Sequence, residues 1–180
     1  MATAYAHITA PGNTGSGVSD YLHFAPTSWF AVNGIQCPVP PYAALGDEVK
    51  VTVDHTFLVT KGFLKAICAP SKNMISAATI GEQGSKKFMQ KIECFLAGTK
   101  EELHATVAGL LNEPLVLLVK DSDCDAGNYY QVGCDCNFAY VESAEFATGT
   151  LKDGQKGYKI TFEFPTEKIL IYSGVVTLKP

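Results

Sequence analysis

The chain has 180 residues, 47% of them hydrophobic and 18% charged, with 14 basic against 18 acidic residues and a formal net charge of −4. That length suits one domain with a sizeable core. The acidic balance argues against the usual basic nucleic-acid surface, and no apolar run approaches the ~20 residues of a membrane span. Charge below the roughly 25% of a typical soluble domain leaves much of the surface neutral. Strands rich in Thr, Ser, Asn and Gly would account for this. The preferred reading is that part of the surface is buried against other subunits, because interface cores are depleted in charge.

The first ten residues lack the basic start and apolar core of a secretory signal, so synthesis in a cytoplasm is expected. Residues 1–46 carry Pro11, Pro26, Pro38, Pro40, Pro41, Gly12, Gly15 and Gly17, with hardly any charge before Asp47. They also hold Tyr21, Phe24, Trp29, Phe30 and Tyr42, too many large aromatics for a disordered tail. The segment reads as an extended N-terminal arm lying on its own domain or on a neighbour. A long ordered loop with one or two short strands is the alternative. Residues 47–180 read as a single β-rich domain.

Within that domain Val49, Val51 and Val53 alternate with Lys50, Thr52 and Asp54, the period-2 mark of a half-buried strand over 47–60. Runs at 63–68 and 74–80 follow. Residues 88–96 then set Phe88, Ile92, Cys94 and Leu96 against Lys91 and Glu93. A helix is predicted over 99–112. Thr99 and Glu102 have capping-box spacing, Leu103, Val107, Leu110 and Leu111 form an apolar stripe, and Pro114 stops the helix. Leu115 to Val119 is five apolar residues in a row, a buried strand. Further strands are predicted at 128–132, 138–142 and 158–164, and a terminal hairpin joins 169–172 to 175–178. About nine short strands at this spacing make the fold mainly β, a β-sandwich or barrel with one flanking α-helix.

No constellation rises to a catalytic or metal signature. Asp121, Asp123 and Asp125 have calcium-loop spacing, but Ala126 and Val132 stand where that loop needs Gly and Glu, so the segment reads as an acidic turn. His7, His23, His55 and His104 do not pair at metal spacing. The glycines at 12–17 lack the Lys and the preceding strand of a phosphate loop. The expectation is a protein that is not an enzyme, with no catalytic, cofactor-binding or metal residues. Of the six cysteines, Cys37, Cys68, Cys94, Cys124, Cys134 and Cys136, most read as free buried thiols. A cross-turn disulfide from Cys124 to Cys134 or Cys136 is an alternative, and a three-thiolate cluster of Cys124, Cys134 and Cys136 a weaker one.

Several fragments, taken in order, carry a resemblance. They are Thr-Val-Asp-His-Thr-Phe at 52–57, Lys-Gly-Phe-Leu-Lys at 61–65 and Thr-Ile-Gly-Glu-Gln-Gly-Ser-Lys-Lys-Phe at 79–88. Phe-Leu-Ala-Gly-Thr-Lys-Glu-Glu at 95–102 leads into the helix, and Asn-Glu-Pro-Leu-Val-Leu-Leu-Val-Lys-Asp at 112–121 follows it. Tyr-Tyr-Gln-Val-Gly-Cys at 129–134, Thr-Gly-Thr at 148–150 and Gly-Tyr-Lys-Ile-Thr-Phe-Glu at 157–163 complete the set. Over residues 47–180 the chain resembles the structural proteins of tailed bacteriophages and prophages, of the tail-tube kind. The resemblance implies a virion subunit made in a host bacterium, which self-assembles into stacked rings forming a DNA conduit. It implies partners in other copies of the chain, in a ring (hexameric order included) or a shell, and in other virion proteins. No specific nucleic-acid binding and no membrane partner are expected. A capsid decoration or auxiliary capsid protein is the runner-up, and a monomeric sugar- or calcium-binding sandwich the reading from a different class. The candidate subunit-interface residues are Tyr21, Phe24, Trp29 and Phe30 of the arm, and Lys152 and Lys156 of the polar loop at 148–157. Lys86, Lys87, Lys91, Lys152, Lys156 and Lys159 are candidates to pair with Asp47, Glu48, Glu101 and Glu102 of an adjacent subunit.

Overall fold

The computed structural model describes residues 18–121, 128–149 and 154–180. Its elements are β1 (Val18–Pro26), β2 (Lys50–Val51), β3 (Leu64–Ile67), β4 (Met74–Ile80), β5 (Lys87–Ala97), α1 (Glu101–Leu110), β6 (Leu115–Asp121), β7 (Tyr129–Val132), β8 (Tyr140–Ala147), β9 (Gly157–Thr166) and β10 (Leu170–Tyr172). They form a six-stranded sheet, order β2-β10-β7-β6-β1-β3, and a four-stranded sheet, order β4-β5-β9-β8. The fold is therefore mainly β, two packed sheets with one α-helix among the described residues, as the sequence predicts.

β6 explains the layering. Leu115 to Val119 are all buried, with Leu115, Leu117 and Val119 in one cluster and Val116 and Leu118 in another. Alternation along a strand sends neighbours to opposite faces, so a continuous apolar run needs both faces covered. The four-stranded sheet and α1 cover one face, through Ile92, Cys94, Ile160, Phe162, Phe164, Val107 and Leu110. The other face carries Phe30, Val51, Phe63 and Tyr172. There Phe30 packs on Phe57 with ring centroids 4.4 Å apart.

Several expectations are corrected. The arm at 1–46 is not separate in its described part. β1 pairs with β6 on one side and β3 on the other, so a boundary at 46/47 cuts through a sheet. Leu22 and Phe24 join the inter-sheet core while Ala25 joins the opposite one, and this two-sided burial hides the strand's period. The strand at 47–60 shrinks to Lys50–Val51. Gly46 is left-handed, at φ 96°, and the Asp47 and Glu48 carboxylates accept the N–H groups of Ala44 and Gly46 in a tight turn. The capping box is absent: α1 starts at Glu101 after Lys100, without a side-chain cap bond. Leu111 leaves the stripe and is 45% exposed. The terminal hairpin does not form. β10 lies between β2 and β7, and the chain after it runs to Phe63, whose N–H donates to Thr177 O at 2.9 Å. The glycine-rich segment at 12–17, Lys152, and Asp123, Cys124 and Asp125 of the acidic turn lie outside the described residues.

Candidate functional site

Among the described residues the four-stranded sheet ends in two free edges, β4 and β8, and the edges differ. β4 pairs with β5 in an unbroken register of seven residues, Met74↔Glu93 through Ile80↔Lys87. Its sequence, Met-Ile-Ser-Ala-Ala-Thr-Ile, has no charge and no Pro, and all but Ile75 are exposed. Edge strands of folded proteins are ordinarily blunted by charge, Pro or a bulge, since their open N–H and C=O groups template further pairing. β4 has none of these. β8 is irregular, with a register shift between Val141 and Ser143, and carries Glu142 and Glu145.

The outer face of this sheet is an ion-pair ladder. Lys159 Nζ lies 3.0 Å from Glu93, Lys87 Nζ lies 3.6 Å from Glu167, and Lys91 pairs with Glu163. The Lys91–Glu163 pair raises the lysine's pKa through its hydrogen bond and charge. Lys87, Lys91 and Lys159 thus have partners on their own chain, which corrects their assignment to carboxylates of an adjacent subunit. Asp47 and Glu48, two of those carboxylates, bond their own turn.

The aromatic interface residues separate into two pairs. Phe24 and Phe30 are buried inside their own chain, one in each core cluster, so neither is free to bury against another subunit. Tyr21 and Trp29 are half-buried under lysines: Lys65 Nζ is 4.1 Å from the Tyr21 ring centroid, and Lys61 and Lys179 are 4.9 and 5.3 Å from that of Trp29. Lys156 is exposed.

A cleft of about 380 Å³ opens between β3, the end of β5 and α1. Its lining is apolar, with Phe24, Leu96, Leu103 and Leu110 among the walls and Lys65 and Lys100 as cationic groups. Cys94 also lines it, but its hydrogen bond to Cys68 and its burial push this thiol's pKa up, so it stays protonated. His104 of α1 is half-buried with Nδ1 2.6 Å from the Tyr158 hydroxyl. Among the described residues no group of three His, Cys, Asp or Glu is placed to hold a metal ion, and no helix is long and apolar enough to cross a membrane.

Cys134 pairs with Cys37, 97 residues away, and their Cα atoms are 6.0 Å apart. This corrects the cross-turn disulfide: Cys134 is taken by Cys37, and Cys136 is free and exposed. Nothing local in the sequence signals a partner at such separation. The run at 74–80 is visible in the sequence as a strand weakened by its alanines, and its place at a sheet edge comes only from the pairing. Comparison with protein-family models, curated proteins and solved structures finds no match to the chain.

Proposed function

We propose that the protein is a structural subunit of a phage virion, a tail-tube protein that self-assembles into stacked rings. The observation that carries this reading is the β4 edge, seven residues in unbroken register without a charge. β4 and β8 are opposite edges of one sheet. Joining β4 of one copy to β8 of the next is a head-to-tail contact, and such contacts close into rings when the rotation allows. The sheet then runs continuously around the ring, and each copy removes the next one's open edge. The resemblance of residues 47–180 to tail-tube proteins supports the same role.

The test is electron microscopy and sizing of the purified chain beside Ala78→Lys and Ser76→Lys. Both positions are exposed on β4; Ala78→Lys, opposite Met89, should keep the parental melting temperature, Ser76→Lys, opposite Lys91, should lower it slightly, and both should lose rings and tubes. Variants that assemble as the parent does would sink the proposal. So would a parental chain that remains monomeric at high concentration, the behaviour of a binding module.

A further inference from the structure

We infer that Cys37, Cys134 and Cys136 form a thiol–disulfide exchange site, in which the Cys136 sulfur displaces Cys37 from Cys134 and unlatches the loop that follows Cys37. The three residues line one open cleft. Cys134 and Asn137 close a tight turn with two backbone bonds, Cys134 N–H to Asn137 O at 2.7 Å and Asn137 N–H to Cys134 O at 3.1 Å. Asp135 and Cys136 form its tip. The first and third Cα atoms of a bent tripeptide are about 5–6 Å apart, within the ~4.4–6.8 Å that a disulfide spans. Cys136 is free and exposed, lines the same cleft as the disulfide, and has the Cα spacing to Cys134 that a disulfide spans.

The leaving group also has a stabilising contact. The Asp135 N–H donates to Cys37 Sγ at 3.2 Å, and a hydrogen bond to sulfur strengthens as the sulfur becomes anionic. In the exchange, the Cys136 thiolate attacks Cys134 Sγ. The Cys136–Cys134 bond forms, the Cys134–Cys37 bond breaks, and Cys37 departs with the bonding pair as a thiolate. It then takes up a proton equal to the one Cys136 released to solvent. One disulfide and one thiol enter and one of each leaves, so no oxidant or reductant is consumed. The charged groups around the three sulfurs are Asp135 in the turn and Glu48, Glu167 and Lys168 in the cleft.

What the exchange releases follows from the anchors on either side. Gln36 is held without the disulfide: its N–H donates to His55 Nδ1 at 3.0 Å and its carbonyl accepts Gln131 Nε2 at 3.0 Å. At the far end Ala44 N–H is bonded to Asp47 at 2.8 Å. Residues 38–43 between these points lose their tether to the 134–137 turn, and they carry Val39, 77% exposed.

The experiment uses the full chain purified without reductant, held at about pH 8.5, where a free cysteine is about half thiolate. It is quenched with N-ethylmaleimide and mapped by mass spectrometry without reduction. The native chain should yield two species. One has Cys37 linked to Cys134 with the label on Cys136. The other has Cys134 linked to Cys136 with the label on Cys37. Cys136→Ser and Cys136→Ala, both at an exposed position, should carry about tenfold less label on Cys37. Among Cys37, Cys134 and Cys136, label confined to Cys136 at all times would overturn the inference. Equal Cys37 labelling in the variants, a link through Cys124, or label on Cys37, Cys134 and Cys136 together from the outset would also overturn it.

Discussion

His55 is stacked on Tyr172, with ring centroids 4.7 Å apart and planes 13° from parallel, and Phe30 and Phe63 meet it edge-on. His23 lies between Tyr21 and Tyr129. Burial, which disfavours the imidazolium, lowers both pKa values to about 4, and Lys65 adds to the effect at His23. Both residues are then neutral in the fold, while the unfolded chain takes up protons near 6.5. The unfolded state binds more protons between these values, so this contribution to stability is complete above about 6.5 and is lost as pH falls towards about 4. Thermal melts across that window should show the midpoint falling, and a flat profile would count against the burial argument. Among the described residues His23 Nδ1 has no hydrogen-bond partner, so His23→Phe removes one titration without removing a bond at that atom. It should reduce the slope by about half.

In α1, Val107 and Leu110 are buried and Leu103 is partly buried against the same core, while Leu111 is 45% exposed. Leu110→Ala should cost about 2–4 kcal/mol, and Leu111→Ala under about 0.5 kcal/mol, by urea unfolding. Thr99→Ala should also fall within about 0.5 kcal/mol, since no side chain caps the helix. A loss near 1 kcal/mol at Thr99 would restore the capping box. Gly157 heads β9 at φ 154°, where a Cβ would stand 2.1 Å from Leu96 O. Gly157→Ala should therefore destabilise the β5–β9 pairing by at least about 2 kcal/mol. These elements show what the sequence could reveal. β5 and β9 each bury one face, so their alternation reads directly. β6 is buried on both faces and declares itself by length and composition. β1 is also two-sided, but its Pro and Gly flanks imitate a loop. Val49 and Val53 mimic strand period where Asp47 and Glu48 bond a turn, and Val53 faces solvent. β4 was readable as a strand but not as an edge, because edge strands ordinarily carry charge, Pro or a bulge and this run has none. The Cys37–Cys134 pairing was not readable, because it is set by the meeting of two loops rather than by spacing.

For the whole molecule, the proposed conduit makes a demand on charge. A surface that holds duplex DNA needs unpaired Lys or Arg, and each phosphate contact adds salt-dependent affinity. The outer face of the four-stranded sheet, which a ring built through β4 and β8 would make continuous, carries Lys87, Lys91 and Lys159, each beside a glutamate of its own chain. Exposed pairs of this kind contribute little to stability, but they offset the positive potential that would attract phosphate. With 14 basic against 18 acidic residues, the chain has no compensating excess elsewhere. Duplex DNA should therefore show no gel shift with the soluble subunit at physiological salt. Because the pairs are intramolecular, they also take no part in joining copies. Ring formation should then change little between about 0.1 and 1 M salt, a range over which the screening length falls from about 10 to 3 Å. Assembly that collapses across that range would place charge pairs between the copies and displace the uncharged β4 edge as the joining surface. Tight binding of duplex DNA would overturn the conduit reading itself and favour a role against packaged genome inside a head.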